Sequence, residues 1–475
     1  MTTSLTETAV LDAARYVGSW LAFRRRAARV PGVQAAIWFG DGLVLSTADG
    51  VADVRSGVPL TTEHLFRIAS HSKTFTATAV LQLAEAGALR LDDTAAVWLP
   101  FLAGSPVAGV TLREMLTHSS GIIRDGHDSD HWQLARAFPD QAQLQRIALD
   151  DAAVLPANDR FKYSNIAYSL LGLVISAAAG TSYDRYVVTN IVERLGLTRT
   201  GPELDPARLA EFAAGHTSLA YADHRVPIEH IDTAAMASAT GFYSTAEETV
   251  SYAAAHFAGD TRLLGDPAKR LMQRPESEVG GEDGHYGLGL AVETVGGRRL
   301  FGHGGGYPGH LTRTLFDPVD RLAVSVFTNT IDGPARALAQ GVVRLVDLAA
   351  RTQSAAVATT DVDLDRFVGR FANLWGVLDV VRFGDQLLAL DPGADDPTAS
   401  PTLLVAQDDT TLRITETGGY GARGESYRYA FAADGSVRSI QGGGGMTSYP
   451  VEVFGAALAE RSVIDLAGGG ALLAD

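Results

Sequence analysis

The chain has 475 residues, enough for two domains, and with 46% hydrophobic and 20% charged residues its composition is that of a folded globular protein. A net charge of −16 with no long basic run excludes a phosphate-tracking nucleic-acid surface, and zero cysteines exclude disulfides, thiolate metal sites and cysteine nucleophiles. No window approaches the roughly 18 uninterrupted apolar residues of a membrane span, and the start lacks a basic region followed by an apolar stretch, so a soluble, cytoplasmic protein is expected.

A first helix is expected over residues 1–30, ended by Pro31-Gly32. Two strands follow, 33–39 and 43–47, joined by the hairpin turn Gly40-Asp41-Gly42. A helix that opens around Ser70 runs to Gly87, a residue suited to a C-cap. From about 111 to 258 the pattern is mostly helical with long loops, the clearest stretches being 112–116, 166–179 and 245–255. Strand character returns at 286–295, 300–302, 311–316 and 322–328, before a helix over 334–351. Strands from both ends of the chain around a helical middle predict an α+β fold, an antiparallel sheet beside a helical region.

Residues 352–361 are small, polar and unpatterned, and read as a linker between a domain at 1–351 and a second at 362–475. There, short runs at 377–383 and 386–390 flank Gly384-Asp385, and Tyr427, Tyr429 and Phe431 alternate with Arg428 and Ala430. Asp434-Gly435 then turns the chain into 436–440. Period-two alternation with turns about every ten residues predicts a small antiparallel barrel or sandwich over about 362–454, with Gly442 to Gly445 as a loop inside it.

Ser70 and Lys73 lie three apart, which puts a hydroxyl and an amine on one helical face. Lysine is otherwise almost absent: the chain has only Lys73, Lys162 and Lys269, and only Lys73 follows a serine at that spacing. A lysine in a dry pocket can release its proton near neutral pH, whereas arginine cannot. In Phe161-Lys162-Tyr163-Ser164-Asn165, Tyr163 and Asn165 face one side of an extended segment and offer a phenol and an amide. Taken alone, a core tyrosine beside a helix-capping asparagine explains that pair equally well. His303-Gly304-Gly305-Gly306 on a strand edge lets backbone approach a ligand closely. Glycines 304, 306 and 309 also satisfy G-x-G-x-x-G, but Pro308 and the strand-like stretch after it rule out a dinucleotide helix.

In this order and on these elements, the three pieces resemble the serine hydrolases of the class C β-lactamase and penicillin-binding-protein family, with their Ser-x-x-Lys, Tyr-x-Asn and Lys/His-x-Gly signatures. Leu116-Thr117-His118-Ser119-Ser120-Gly121 and Gly241-Phe242-Tyr243-Ser244-Thr245-Ala246 look like further family stretches. The resemblance covers about 31–351, and the second domain is similar to the lipocalin-like barrel that some members append. It implies an acyl-enzyme route without cofactor or metal, in which Ser70 attacks a carbonyl and Lys73 and Tyr163 share the base and shuttle roles. The backbone N–H groups of Ser70 and Gly306 would hold the oxyanion, and Asn165, His303, Gly304 and Gly305 would bind substrate.

Many penicillin-recognising members have lysine where this chain has His303, and histidine is only partly charged at neutral pH. That shifts the expected substrate towards esters, amides or D-residue-containing peptides. The alternatives are acyl transfer or peptide cyclisation of the penicillin-binding-protein thioesterase type, a weak β-lactamase, and a non-catalytic binder of peptides or cell-wall fragments. The expected partner is a small-molecule or peptide substrate, and oligomeric state is not legible. An α/β-hydrolase is disfavoured because Gly-x-Ser-x-Gly does not occur.

Other clusters are set aside. The run Arg124 to His131 gathers two histidines and three acids, yet reads as an entrance or solvated loop rather than a metal site. Asp361, Asp363 and Asp365 lack the glycine and glutamate of a calcium loop. His118 is expected to pack near the site, whereas His224, His230 and His310 have no partner pattern, and His310, beside the glycine loop, is only a minor candidate for substrate contact.

Overall fold

The computed structural model describes residues 3–280, 284–353, 362–418 and 421–461. Backbone proximity divides the chain into two compact units, Arg25–Gln340 and Thr3–Arg24 with the chain from Gly341 onward. The architecture is the one the sequence pattern predicts: a large antiparallel sheet with helices, and a separate closed β-barrel.

In the first unit the sheet has eight strands, in the order Gly42–Gly50, Gly32–Phe39, Leu322–Thr328, His310–Asp317, Arg298–Tyr307, Ala291–Val295, His285–Tyr286 and Ser277–Glu278. Both chain ends supply it, as expected, and every pairing is antiparallel. The expected strand 286–295 splits in two around Gly287 and Gly289, the latter in left-handed backbone at φ 74.

The glycine-bearing strand Arg298–Tyr307 is longer than its sequence suggests, because its pairing with His310–Asp317 carries straight through the glycines. Gly304 faces Arg313, Gly305 faces Thr312 and Gly306 faces Leu311 in that register. On the other side its partner Ala291–Val295 pairs only as far as Gly302. From His303 onward no strand among the described residues pairs with that edge.

The centre of that region is helix Ser72–Glu85, whose side chains are almost all buried. Phe75 stacks between Phe242 and Tyr252, at ring-centroid distances of 4.2 and 3.8 Å. Helix Asn165–Ala179 packs alongside through Ile166, Leu170, Leu171 and Val174. Ser164, not Asn165, is its N-cap, with the hydroxyl accepting from Ala167 N at 2.9 Å.

The second unit pairs helix Glu7–Ala27 and the end of helix Ala335–Gln353 with the barrel. The first helix buries Val10, Ala13, Val17, Trp20 and Leu21, an apolar stripe at helical spacing, and it stops at Ala27, short of the expected 30. Gly341 gives Trp20 room against the later helix. Tyr16 donates to Asp379 at 2.6 Å, and Arg370 grips the same carboxylate with two bonds of 2.7 Å, fastening helix to barrel strand.

Thr352 and Gln353, expected in the linker, close the later helix, with Thr352 Oγ1 donating to Leu348 O. The rest of that segment, Asp361 included, lies outside the described residues. The barrel has eight strands from Gly369–Asn373 to Thr447–Pro450, each paired with the next and the last with the first. Phe367, Phe371, Leu387, Leu404, Leu412, Ile414 and Tyr429 fill its core. Strands Thr402–Ala406 and Thr411–Glu416 and the closing helix Val451–Ala459 had no clear signal in the sequence.

Candidate active site

Ser70 lies in one turn of 3-10 helix, Ala69–His71, just before the helix proper rather than inside it. Ala69 takes left-handed backbone at φ 43, a strained conformation for a residue with a side chain. Neighbours hold the turn in place. Ser72 Oγ donates to Ala69 O at 2.6 Å and accepts from Phe242 N at 3.0 Å. His71 lies within bonding distance of Ile68 O (3.0 Å) and Thr314 Oγ1 (2.9 Å). The Ser70 side is half-buried and reachable, while Lys73 is fully buried.

Three sequence-predicted groups converge on this hydroxyl. Tyr163 OH donates to Ser70 Oγ at 2.8 Å, and Lys73 Nζ lies 3.2 Å from the same oxygen. The amine also donates to Asn165 Oδ1 at 2.6 Å and Ala239 O at 2.9 Å. Both of those oxygens can only accept, so they fix two N–H bonds of Lys73. The remaining tetrahedral position points at Ser70 and carries a lone pair when the amine is neutral. The Tyr163 ring stands 4.8 Å from Nζ and the Tyr168 ring 5.6 Å.

The predicted glycines divide between the two faces of their strand. Gly305 presses on the Ser70 segment so closely that a methyl group there would overlap the Ile68 carbonyl oxygen. Gly304 faces the other way, with Arg313 Nη1 3.3 Å from where its Cβ would be. Gly306 is exposed on the unpaired stretch of edge. His303 Nδ1 lies 2.6 Å from Gly304 O and donates to it, and Nε2 lies 3.0 Å from Tyr286 OH. Both nitrogens of that ring are engaged.

Burial dominates the electrostatics. It pushes Lys73 well below the usual amine range; Asp125 opposes the shift and Arg124 adds to it. It pushes Tyr163 the other way, upward, against its hydrogen bond to Ser70 and the nearby Arg124. Burial also drives His303 well below the ordinary histidine value, assisted by the charge of Lys73.

Asp125 is the residue that sequence reasoning passed over. The Arg124 to His131 run disperses in three dimensions: Asp125 turns inward to accept from Asn165 Nδ2 at 2.6 Å, His127 faces Asp151, and His131 packs on Phe138. Among the described residues no three His, Cys, Asp or Glu side chains converge to hold a metal. His118 packs its ring 4.3 Å from Tyr163 and accepts from Ser164 N, a supporting role. His310, a minor candidate for substrate contact, is fully buried, accepting from Arg67 N and donating to Ala213 O.

The family model described as Beta-lactamase matches residues 21–348. The chain belongs to this family. Its members here are the β-lactamase and penicillin-binding-protein-like serine hydrolases, which the three motifs had suggested. Penicillin-binding protein 4* of Bacillus subtilis (strain 168) is 28% identical over 289 residues, covering 58% of this chain and 63% of its own length, less than two thirds. Penicillin-binding protein 4 of Amycolatopsis lactamdurans is 28% identical over 316 residues, covering 63% of this chain and 81% of that protein. Among solved structures, the octameric penicillin-binding protein homologue from Pyrococcus abyssi covers 90% of this chain and 97% of its own, at TM-score 0.64 and 22% identity. The D-amino acid amidase from Ochrobactrum anthropi SV3, complexed with D-phenylalanine, covers 72% of this chain and all (100%) of its own, at TM-score 0.59 and 25% identity. Among the described residues no single helix is long and apolar enough to cross a membrane.

Proposed function

We propose that the protein hydrolyses esters, amides or D-residue-containing peptides through an acyl-Ser70 intermediate. The observation that carries this reading is the meeting of Lys73 Nζ and Tyr163 OH on one reachable hydroxyl, at 3.2 and 2.8 Å. Lys73 is the first base. Burial makes its neutral form accessible and its lone pair faces Ser70, whereas burial holds the Tyr163 proton on. As Ser70 Oγ bonds to the carbonyl carbon, its proton passes to Lys73. The oxyanion lies between the N–H groups of Ser70 and Gly306. On collapse the leaving amine or alkoxide takes the Tyr163 proton, which Lys73 replaces. Water then attacks the acyl-enzyme with the same two groups as base and shuttle.

Neutral His303 supplies no fixed charge for a substrate carboxylate, which favours amides and esters over penicillins. The likeness to a protein named as a D-amino acid amidase supports an acyl side of D configuration. The test is reaction with a fluorescent fluorophosphonate and mass mapping, followed by turnover of p-nitrophenyl esters, D- and L-aminoacyl anilides, peptidyl thioesters with and without an amine acceptor, and nitrocefin. The expected result is an adduct on Ser70 and faster turnover of D-aminoacyl anilides or esters than of nitrocefin. An unmodified Ser70 would overturn the reading, and a ligated product with the amine would identify acyl transfer instead.

A further inference from the structure

Asp125 sits in the loop after Gly121 with its side chain turned inward and only 6% of the residue exposed. One carboxylate oxygen, Oδ1, accepts from Asn165 Nδ2 at 2.6 Å and from Trp132 Nε1 at 3.1 Å. The other, Oδ2, accepts from Arg124 Nε at 3.1 Å. A carboxylate can only accept, so the Asn165 amide must turn its nitrogen to Asp125 and its oxygen to Lys73. Without that acceptor the amide could rotate and set its N–H bonds against the amine.

We infer that Asp125 is a positioning residue for the reaction at Ser70: it locks Asn165 with its oxygen on Lys73 and supplies a negative charge opposite that amine. This rests on the reading of Lys73 as the base. The groups facing Lys73 are Asp125 and Arg124 from this loop, the rings of Tyr163 and Tyr168, the neutral His118 and His303, and Ser70 itself. Of these, the carboxylate favours the ammonium form of Lys73 and the guanidinium disfavours it. Removing the two charges therefore has opposite consequences. Asp125→Asn keeps an oxygen for Asn165 and Trp132 but loses the charge, so Lys73 deprotonates at lower pH. Arg124→Gln removes the opposing cation, so Lys73 deprotonates at higher pH. Its side chain is 63% exposed, and the substitution should not disturb folding.

The experiment measures the rate at which the full chain's Ser70 is phosphonylated by a fluorophosphonate, as a function of pH. In that step the Oγ–P bond forms, fluoride leaves and the serine proton goes to Lys73. The rate should rise along an acid limb set by that amine. Asp125→Asn is expected to move the limb down by about one pH unit, and Arg124→Gln to move it up by about half a unit. Asp125→Ala, which also frees the amide, should lower the plateau about tenfold. Limbs that superimpose on the parent for both Asp125→Asn and Arg124→Gln would overturn the inference while leaving the acyl-serine reading intact. If circular dichroism shows that Asp125→Asn does not fold, Asp125→Ala decides, and a parent-like limb and plateau for that variant would overturn the inference. No phosphonylation of Ser70 in the parent would instead sink the underlying reading, and this inference with it.

Discussion

In the first unit, Arg67, His71, Lys73, His118, His303 and His310 are buried, whereas the barrel core is packed with Phe367, Phe371, Leu387, Leu412 and Tyr429. All twelve histidines and all three lysines of the chain lie between His64 and His310. Burying such groups is costly unless each finds partners, and here the partners are what orient the Ser70 turn, Lys73 and Asn165. The barrel core solves a simpler problem, filling its centre with apolar and aromatic side chains. Buried polarity thus marks where chemistry can happen, and its scarcity in the barrel core marks a packing element.

The sharpest break of that contrast is Ser70→Ala, which should lower p-nitrophenyl ester turnover about 10⁴-fold or more while leaving the melting temperature nearly unchanged. In the barrel the cost falls on stability instead. Phe367→Ala should lose about 3–5 kcal/mol of unfolding free energy, read by denaturant titration. Within the site, the strand faces can be told apart. Gly305→Ala drives a methyl into the Ile68 carbonyl and should lower kcat about 10²-fold, while Gly304→Ala, whose tightest approach is 3.3 Å to Arg313 Nη1 with an ordinary 3.5 Å contact to Thr312 O, should stay within about threefold.

Acid should also separate the two units. Burial holds His71 down to about 3 and His230 and His256 down to about 4, from an ordinary 6.5. Below 6.5 the unfolded chain takes up protons that these folded sites refuse, so stability falls as pH drops towards 4. Amide exchange read by mass spectrometry at pH 7 and 4.5 should show protection lost first across residues 25–340; earlier loss in the barrel would contradict this. The smallest effect is Ser164→Ala, about 1 kcal/mol for the lost cap.

Much of this was legible in the sequence because it is local. The hairpin at Gly40-Asp41-Gly42, the helix after Ser164 and the alternation at 427–431 each follow from a few neighbouring residues. The spacing places Ser70 at the opening of a helix but not in a 3-10 turn, because one of that turn's restraints is His71 on Thr314, 243 positions away. The glycine strand looked too short because glycine weakens a strand locally, and the pairing with His310–Asp317 that sustains it does not show in its own residues. Asp125 was hidden among exposed charges, since its partner Asn165 lies 40 residues further on.

Acylation of the Ser70 oxygen with the Lys73 amine as its base is the step on which the proposed chemistry depends. Intact-mass analysis after brief exposure to a p-nitrophenyl ester, run on the parent and on Lys73→Ala, tests it most directly. The parent should carry one acyl group, mapped to Ser70, and the folded variant should acylate at least about 10³-fold more slowly. Equal acylation of both proteins, or an adduct on another residue, would contradict it.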